Sequence, residues 1–292
     1  MFYKAPWPRG PVEKIGPTDK CIYCGLAPPH VELTDEHIIP DGLGGDLLYL
    51  RASCLRCAKH TNSFETPVIN GAFQYARGVA GVRARKRKFK ALTARVNFKD
   101  GRPEAELELP DAAPFFLTLP ISDGLPGILA GARAEDAQKL FRAAVFGEQD
   151  WVAKARKWAG NDSQVRFGYR GHMGQLGQLV AKAAHAYACA KLGSDGFAPF
   201  LLNYIRADKP AFDAHLMGIH SGHGTTDHLH ELTLNVATIF RPTAIGISRE
   251  SFYVVGMRLF SNHPSPSFLA VIGRPIGIPP PEIPGFGGLR PI

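Results

Sequence analysis

The stretch Cys21-Ile22-Tyr23-Cys24-Gly25, followed by Glu32-Leu33-Thr34-Asp35-Glu36-His37-Ile38-Ile39-Pro40, by Gly42, Gly44 and Gly45, and by Cys54-Leu55-Arg56-Cys57, decides how this chain is read. It holds four of the five cysteines, as two Cys-x-x-Cys pairs. The chain starts without an apolar leader core, which makes a cytoplasmic location the expectation. In that setting such pairs bind metal more often than they form disulfides. Four thiolates from two short knuckles suit a tetrahedral structural Zn²⁺ at Cys21, Cys24, Cys54 and Cys57. Gly25 can take the positive φ that turns backbone amides toward the sulfurs. Cys189 lies in an apolar helical stretch and reads as a small core residue.

The 29 residues between the pairs exceed the ~15–20 of a common double-knuckle site. The intervening pattern predicts a strand ending at Pro40, a glycine loop, a second strand over Leu47 to Ala52, and a helix from about Arg56 to Val68. That is a β-β-α unit clamped by zinc.

This order of motifs resembles the HNH (His-Me finger) endonucleases that carry a structural zinc. The resemblance covers roughly residues 17–70. It implies metal-assisted hydrolysis of nucleic-acid phosphodiester bonds, with double-stranded DNA as the expected partner and a homodimer as the candidate assembly. It makes His37 the general base, whose ordinary pKa near ~6.5 suits proton abstraction at neutral pH. Glu36 becomes the carboxylate ligand of a catalytic Mg²⁺ or Mn²⁺, with Asp35 as substitute ligand or as the residue orienting His37. Strand alternation sets Glu36 and His37 on opposite faces, so a local distortion is needed to bring both to one phosphate. The family often places Asn or His directly after the last cysteine, where this chain has Ala58, and a middle Asn where it has Tyr49. The nearest helix substitutes are Asn62, His60 and Glu65, in that order. The competing expectation is a zinc-stabilised DNA-binding or assembly module that has lost the chemistry.

Charge supports a polyanionic partner. Lys and Arg exceed Asp and Glu by 34 to 26 over 292 residues, and residues 1–100 hold 16 against 9. A basic run, Arg83, Arg85, Lys86, Arg87, Lys88 and Lys90, follows the finger. Such a run releases counterions from a phosphate backbone. No apolar run approaches the ~20 residues that a membrane helix needs. By analogy alone, a microbial defence role goes with this architecture.

The expected fold class is α+β: an N-terminal arm (1–16), the zinc-stapled ββα-metal finger (17–70), a larger mixed α+β domain (71–274) and a Pro/Gly-rich tail (275–292). Within the third segment the pattern predicts a hairpin over 91–109 and a strand over 115–121. It predicts helices over 134–146, 172–192 and 197–205. Strands are expected over 229–240, 243–248, 251–259 and 268–273. His215, His220, His223, His228 and His230 cluster as candidates for a second metal site, but without standard spacing, and packing at a sheet edge or lining of a substrate groove explains them about as well.

Overall fold

The computed structural model describes residues 2–6, 10–73, 76–77, 80–82, 93–97, 105–108, 117–122, 125–137, 141–146, 164–167, 173–220, 224–244, 246–263 and 265–277. Strands β1 (Phe2–Pro6), β2 (Glu13–Ile15), β3 (Leu33–His37) and β4 (Leu47–Cys54) lead into helix α1 (Leu55–Asn70). Short strands β5 (Thr93–Asn97), β6 (Ala105–Glu108), β7 (Leu117–Ser122), β8 (Phe141–Phe146) and β9 (Gln164–Phe167) follow, with one turn of helix, α2 (Ala134–Ala137), between β7 and β8. The long helix α3 (Met173–Leu192) precedes β10 (Phe197–Pro199), helix α4 (Leu202–Arg206) and β11 (Met217–His220). The chain closes on β12 (His228–Thr243), β13 (Gly246–Leu259) and β14 (Ser267–Pro275). The fold is mixed α+β.

The finger forms where the sequence indicated. β3 and β4 pair antiparallel, with Glu36 opposite Tyr49 and His37 opposite Leu48. β2 adds a third strand, parallel to β4. The register shifts between Thr34 and Glu36, where β4 carries extra residues. Arg51 sits there at φ 52, in the left-handed region that non-glycine residues seldom adopt. The Asp35 carboxylate holds it by accepting the Arg51 backbone N–H at 2.9 Å. Helix α1 buries Cys57, Thr61, Phe64 and Val68, an i, i+4, i+7, i+11 stripe facing the core.

Helix α3 is buried on every side from Leu176 to Cys189. It ends at Gly193, whose φ of +78 continues no helix. One hydrophobic core runs from Cys21, Ile38 and Phe64 of the finger through α3 to Leu232, Val255 and Phe268 of the large sheet. That sheet has the order β1-β12-β13-β14-β10, with β11 also on β14. The N-terminal arm therefore supplies an edge strand, β1, against β12.

Three expectations need correction. The helix expected over 134–146 is α2 followed by β8, because 141–146 pair antiparallel with β7 and cross-strand pairing outweighs the alanine propensity there. The helix expected over 197–205 begins only at Leu202. Pro199 disfavours helix at the residue before it, and 197–199 pair with β14 instead. The strands expected over 243–248 and 251–259 are one strand, β13. Its charged middle is tolerated because Glu250 is paired with Arg274 at 3.0 Å and Arg241 at 3.8 Å. The hairpin over 91–109 is present as β5 paired with β6.

Candidate active site and metal centre

The two knuckles meet at the N-terminus of α1. Gly25, at φ +74, donates its N–H to the Cys21 carbonyl at 2.8 Å and so closes the first knuckle. Cys54 occupies the N-cap of α1, and Cys57 lies in its first turn. The four sulfurs lie within 4.8 Å of one another, and those of Cys24 and Cys54 are 3.8 Å apart. A tetrahedral Zn²⁺ with bonds of ~2.3 Å needs sulfur separations of about 3.8 Å. The donor set and its spacing therefore fit zinc. Without the metal the thiols compete for protons. The hydrogen bond from Cys57 draws Cys21 down to about 4. The same contact pushes Cys57 up, and burial raises Cys24.

Behind the knuckles, α3 presents a polar stripe at spacings of four, three and four: Gln178, Lys182, His185 and Cys189. The first three reach a backbone carbonyl or a charged group outside the helix, and the Cys189 thiol lies 3.5 Å from His185 Nε2. Gln178 donates to the carbonyl of Ala207 at 2.7 Å. His185 Nε2 donates to the Ile22 carbonyl, inside the first knuckle, at 2.8 Å. Burial holds its imidazole down at about 4, so the ring is neutral. The backbone carbonyl of Cys189 accepts from the Tyr49 hydroxyl at 3.4 Å.

Lys182 is the most consequential member of the stripe. Its side chain is 1% exposed. Its ammonium is ion-paired with Glu36 Oε1 on β3 and, at 2.8 Å, with Glu65 Oε1 on α1. It also donates to the His37 carbonyl at the end of β3. The ammonium thus lies against two carboxylate oxygens, and a longer hydrogen bond, at 3.5 Å, runs to the Ile38 carbonyl. Burial alone would lower the Lys182 pKa, but Glu36 and Glu65 raise it, so the amine stays charged. Burial pushes the Glu36 carboxyl up, with Glu65 adding to the effect and Lys182 opposing it. Burial and the same two carboxylates raise the phenol of Tyr23.

Along β3, Asp35 is exposed, Glu36 buried and His37 half-buried. This follows strand alternation, which sets Asp35 and His37 on one face and Glu36 on the other.

Residues 21–70 match the model of the HNH endonuclease family. Neither a comparison with curated proteins nor one with solved structures gives a match. The HNH segment ends where α1 ends and contains both knuckles, Asp35, Glu36 and His37.

Within the HNH segment the helix candidates separate. Asn62 is exposed, and its amide oxygen accepts from Thr66 at 3.0 Å. His60 Nε2 donates to the Ile205 carbonyl at 2.9 Å, tying α1 to α4. Glu65, ranked last from the sequence, is the one that converges with Glu36, through Lys182. Tyr49 packs its ring against Gly16, where an added Cβ would approach within 2.9 Å. The basic run of Arg83, Arg85, Lys86, Arg87, Lys88 and Lys90 lies outside the described residues.

Of the histidine cluster, His230 serves the fold, and His223 lies outside the described residues. His230 is fully buried, donates from Nε2 to the Leu43 carbonyl at 2.9 Å, and accepts the Phe260 N–H at Nδ1. Among the described residues, the four cysteines are the group gathered closely enough to hold a metal, and no histidine of the cluster joins such a group. No helix among the described residues is long and apolar enough to cross a membrane.

Sequence reasoning did not single out Lys182. The signal was present: a charge in helical phase with Gln178, His185 and Cys189, in the middle of an Ala- and Leu-rich helix whose other charge, Lys191, sits in the last turn.

Proposed function

We propose that this chain is an HNH-type endonuclease that hydrolyses nucleic-acid phosphodiester bonds, with duplex DNA as substrate. The observation that carries the reading is His37 at the exit of β3, half-buried, inside a zinc-ready ββα unit that matches the HNH family. His37 is the general base: its ring takes a proton from the attacking water. A divalent cation such as Mg²⁺ or Mn²⁺, when bound, supplies positive charge to the scissile phosphate. The carboxylate this chain offers on the face of His37 is Asp35, because Glu36 turns inward to Lys182. The basic run at 83–90 holds the phosphate backbone, and two copies of the chain would serve the two strands of a duplex.

The test is nicking of supercoiled plasmid by the purified protein with Mg²⁺, Mn²⁺ or EDTA, beside His37→Ala. Metal-dependent nicking that disappears in His37→Ala, with zinc content and circular dichroism unchanged, is the expected result. Undiminished nicking in that variant would end this mechanism.

A second reading, a zinc-stabilised DNA-binding or assembly module without catalysis, is favoured by the engagement of Glu36 with Lys182. It predicts plasmid binding without nicking in every metal.

A further inference from the structure

We infer that Lys182 is a built-in cation. Its ammonium fills the space between the β3 carboxylate Glu36 and the α1 carboxylate Glu65, so the three residues form a closed ion triad in place of a divalent-cation site. Three observations carry this. Glu36 and Glu65 come from the two elements of the HNH unit that face each other across its interior, and both carboxylates meet the same nitrogen. The nitrogen belongs to α3, outside the HNH segment, and its side chain is 1% exposed, against 7% and 13% for the two carboxylates. The ammonium also donates a hydrogen bond to the His37 carbonyl, so the lysine is anchored on the backbone that carries the candidate base.

A divalent cation and an ammonium cannot share this space. Mg²⁺ and Mn²⁺ need several oxygen ligands at ~2.0–2.2 Å and retain waters, whereas the space here is closed and already holds one positive charge. The residues around Glu36 therefore do not fit a catalytic metal. They fit a permanent cation that fixes the end of β3 against α1 and α3. Lys182 acts on His37 through the backbone and is a positioning residue. The inference is independent of whether the chain cleaves nucleic acid, because its readouts are cation binding and melting temperature.

The test uses the full zinc-loaded chain and Mn²⁺ as probe. In the wild-type background, Glu36→Gln is expected to leave Mn²⁺ binding, followed by electron paramagnetic resonance, unchanged. Lys182→Ala removes the ammonium and leaves two buried carboxylates facing a cavity. That variant is expected to melt about 10 °C or more below the wild type. Millimolar Mn²⁺ should restore much of the loss, and the restoration should vanish in Lys182→Ala/Glu36→Gln. A neutral triad, Lys182→Met/Glu36→Gln/Glu65→Gln, should fold without Mn²⁺ dependence. Two outcomes overturn the inference: loss of wild-type Mn²⁺ binding in Glu36→Gln, or a folded Lys182→Ala variant with unchanged melting and no response to Mn²⁺. Should Lys182→Ala not fold, the Glu36→Gln comparison in the wild-type background decides.

Discussion

His230 Nε2 lies 2.9 Å from the carbonyl oxygen of Leu43, and this bond fastens β12 of the large sheet to the glycine loop of the finger. The ring is held neutral: burial lowers its pKa to about 4. Above about pH 6.5 both folded and unfolded chains carry the neutral ring. Below it, the unfolded chain takes up a proton that the folded chain refuses until about pH 4. Stability therefore falls as pH drops from about 6.5 to about 4 and levels off below, by about 3 kcal/mol from this residue. His230→Gln removes the titrating group, so its urea-unfolding free energy should be flatter across that window than the wild type's. Zinc loss and His185 affect both proteins alike and cancel in the difference. Parallel curves would refute the assignment.

The finger was legible because its signals are local. Two cysteine pairs, a glycine loop and a proline after His37 mark a β-β-α unit within a short span, and the structure places β3, β4 and α1 within two or three residues of the expected bounds. The Gly193 stop was equally plain for α3. What the sequence concealed is long-range. Residues 141–146 are a strand because β7 lies beside them, and β1 is a strand because β12 does. The pairing of Glu36 with Lys182 joins positions 146 residues apart, and periodicity reports only that Lys182 shares a helix face with other polar groups. Burial of Glu36 rather than Asp35 was implied by alternation once the strand was placed. Only the third dimension supplies the lysine that makes that burial tolerable.

The zinc prediction rests on the sulfur geometry. Four thiols within 4.8 Å should hold one Zn²⁺ per chain. Because the knuckles share one core with α3 and the large sheet, removing the metal should destabilise the whole protein. A strong chelator or Cys57→Ser should lower the melting temperature by about 10 °C or more. Cys189→Ser should keep the full zinc content, since Cys189 lies outside the cluster. Metal analysis beside calorimetry checks both. A chain that purifies without zinc and melts identically with chelator would remove the metal from the account.

Neutralising the basic run tests its role in holding nucleic acid. Each phosphate that the protein no longer neutralises should reduce the slope of log affinity against log salt by about 0.9. Alanine at Arg85, Lys86, Arg87 and Lys88 should thus flatten the slope for duplex DNA by up to about 3–4 and weaken binding across all sequences alike. Fluorescence anisotropy over a salt series measures it. An unchanged slope would place the phosphate-binding surface elsewhere.

Asp35 and Glu36 are neighbours with opposite surroundings, and this separates chemistry from stability. Asp35 is exposed and accepts the Arg51 N–H at 2.9 Å, a bond that an asparagine oxygen can also accept. Asp35→Asn therefore keeps the strand irregularity, removes the negative charge beside His37, and should change stability by no more than about 0.5 kcal/mol. Nicking should fall by about 100-fold or more, corresponding to about 2.7 kcal/mol of activation free energy. Glu36→Gln leaves the buried ammonium of Lys182 with one carboxylate fewer, which should cost about 1–3 kcal/mol of stability. Its effect on nicking should be the smaller of the two, because the inward carboxylate does not face the phosphate. The reverse pattern, a stable Glu36→Gln without activity beside an active Asp35→Asn, would return the ligand role to Glu36.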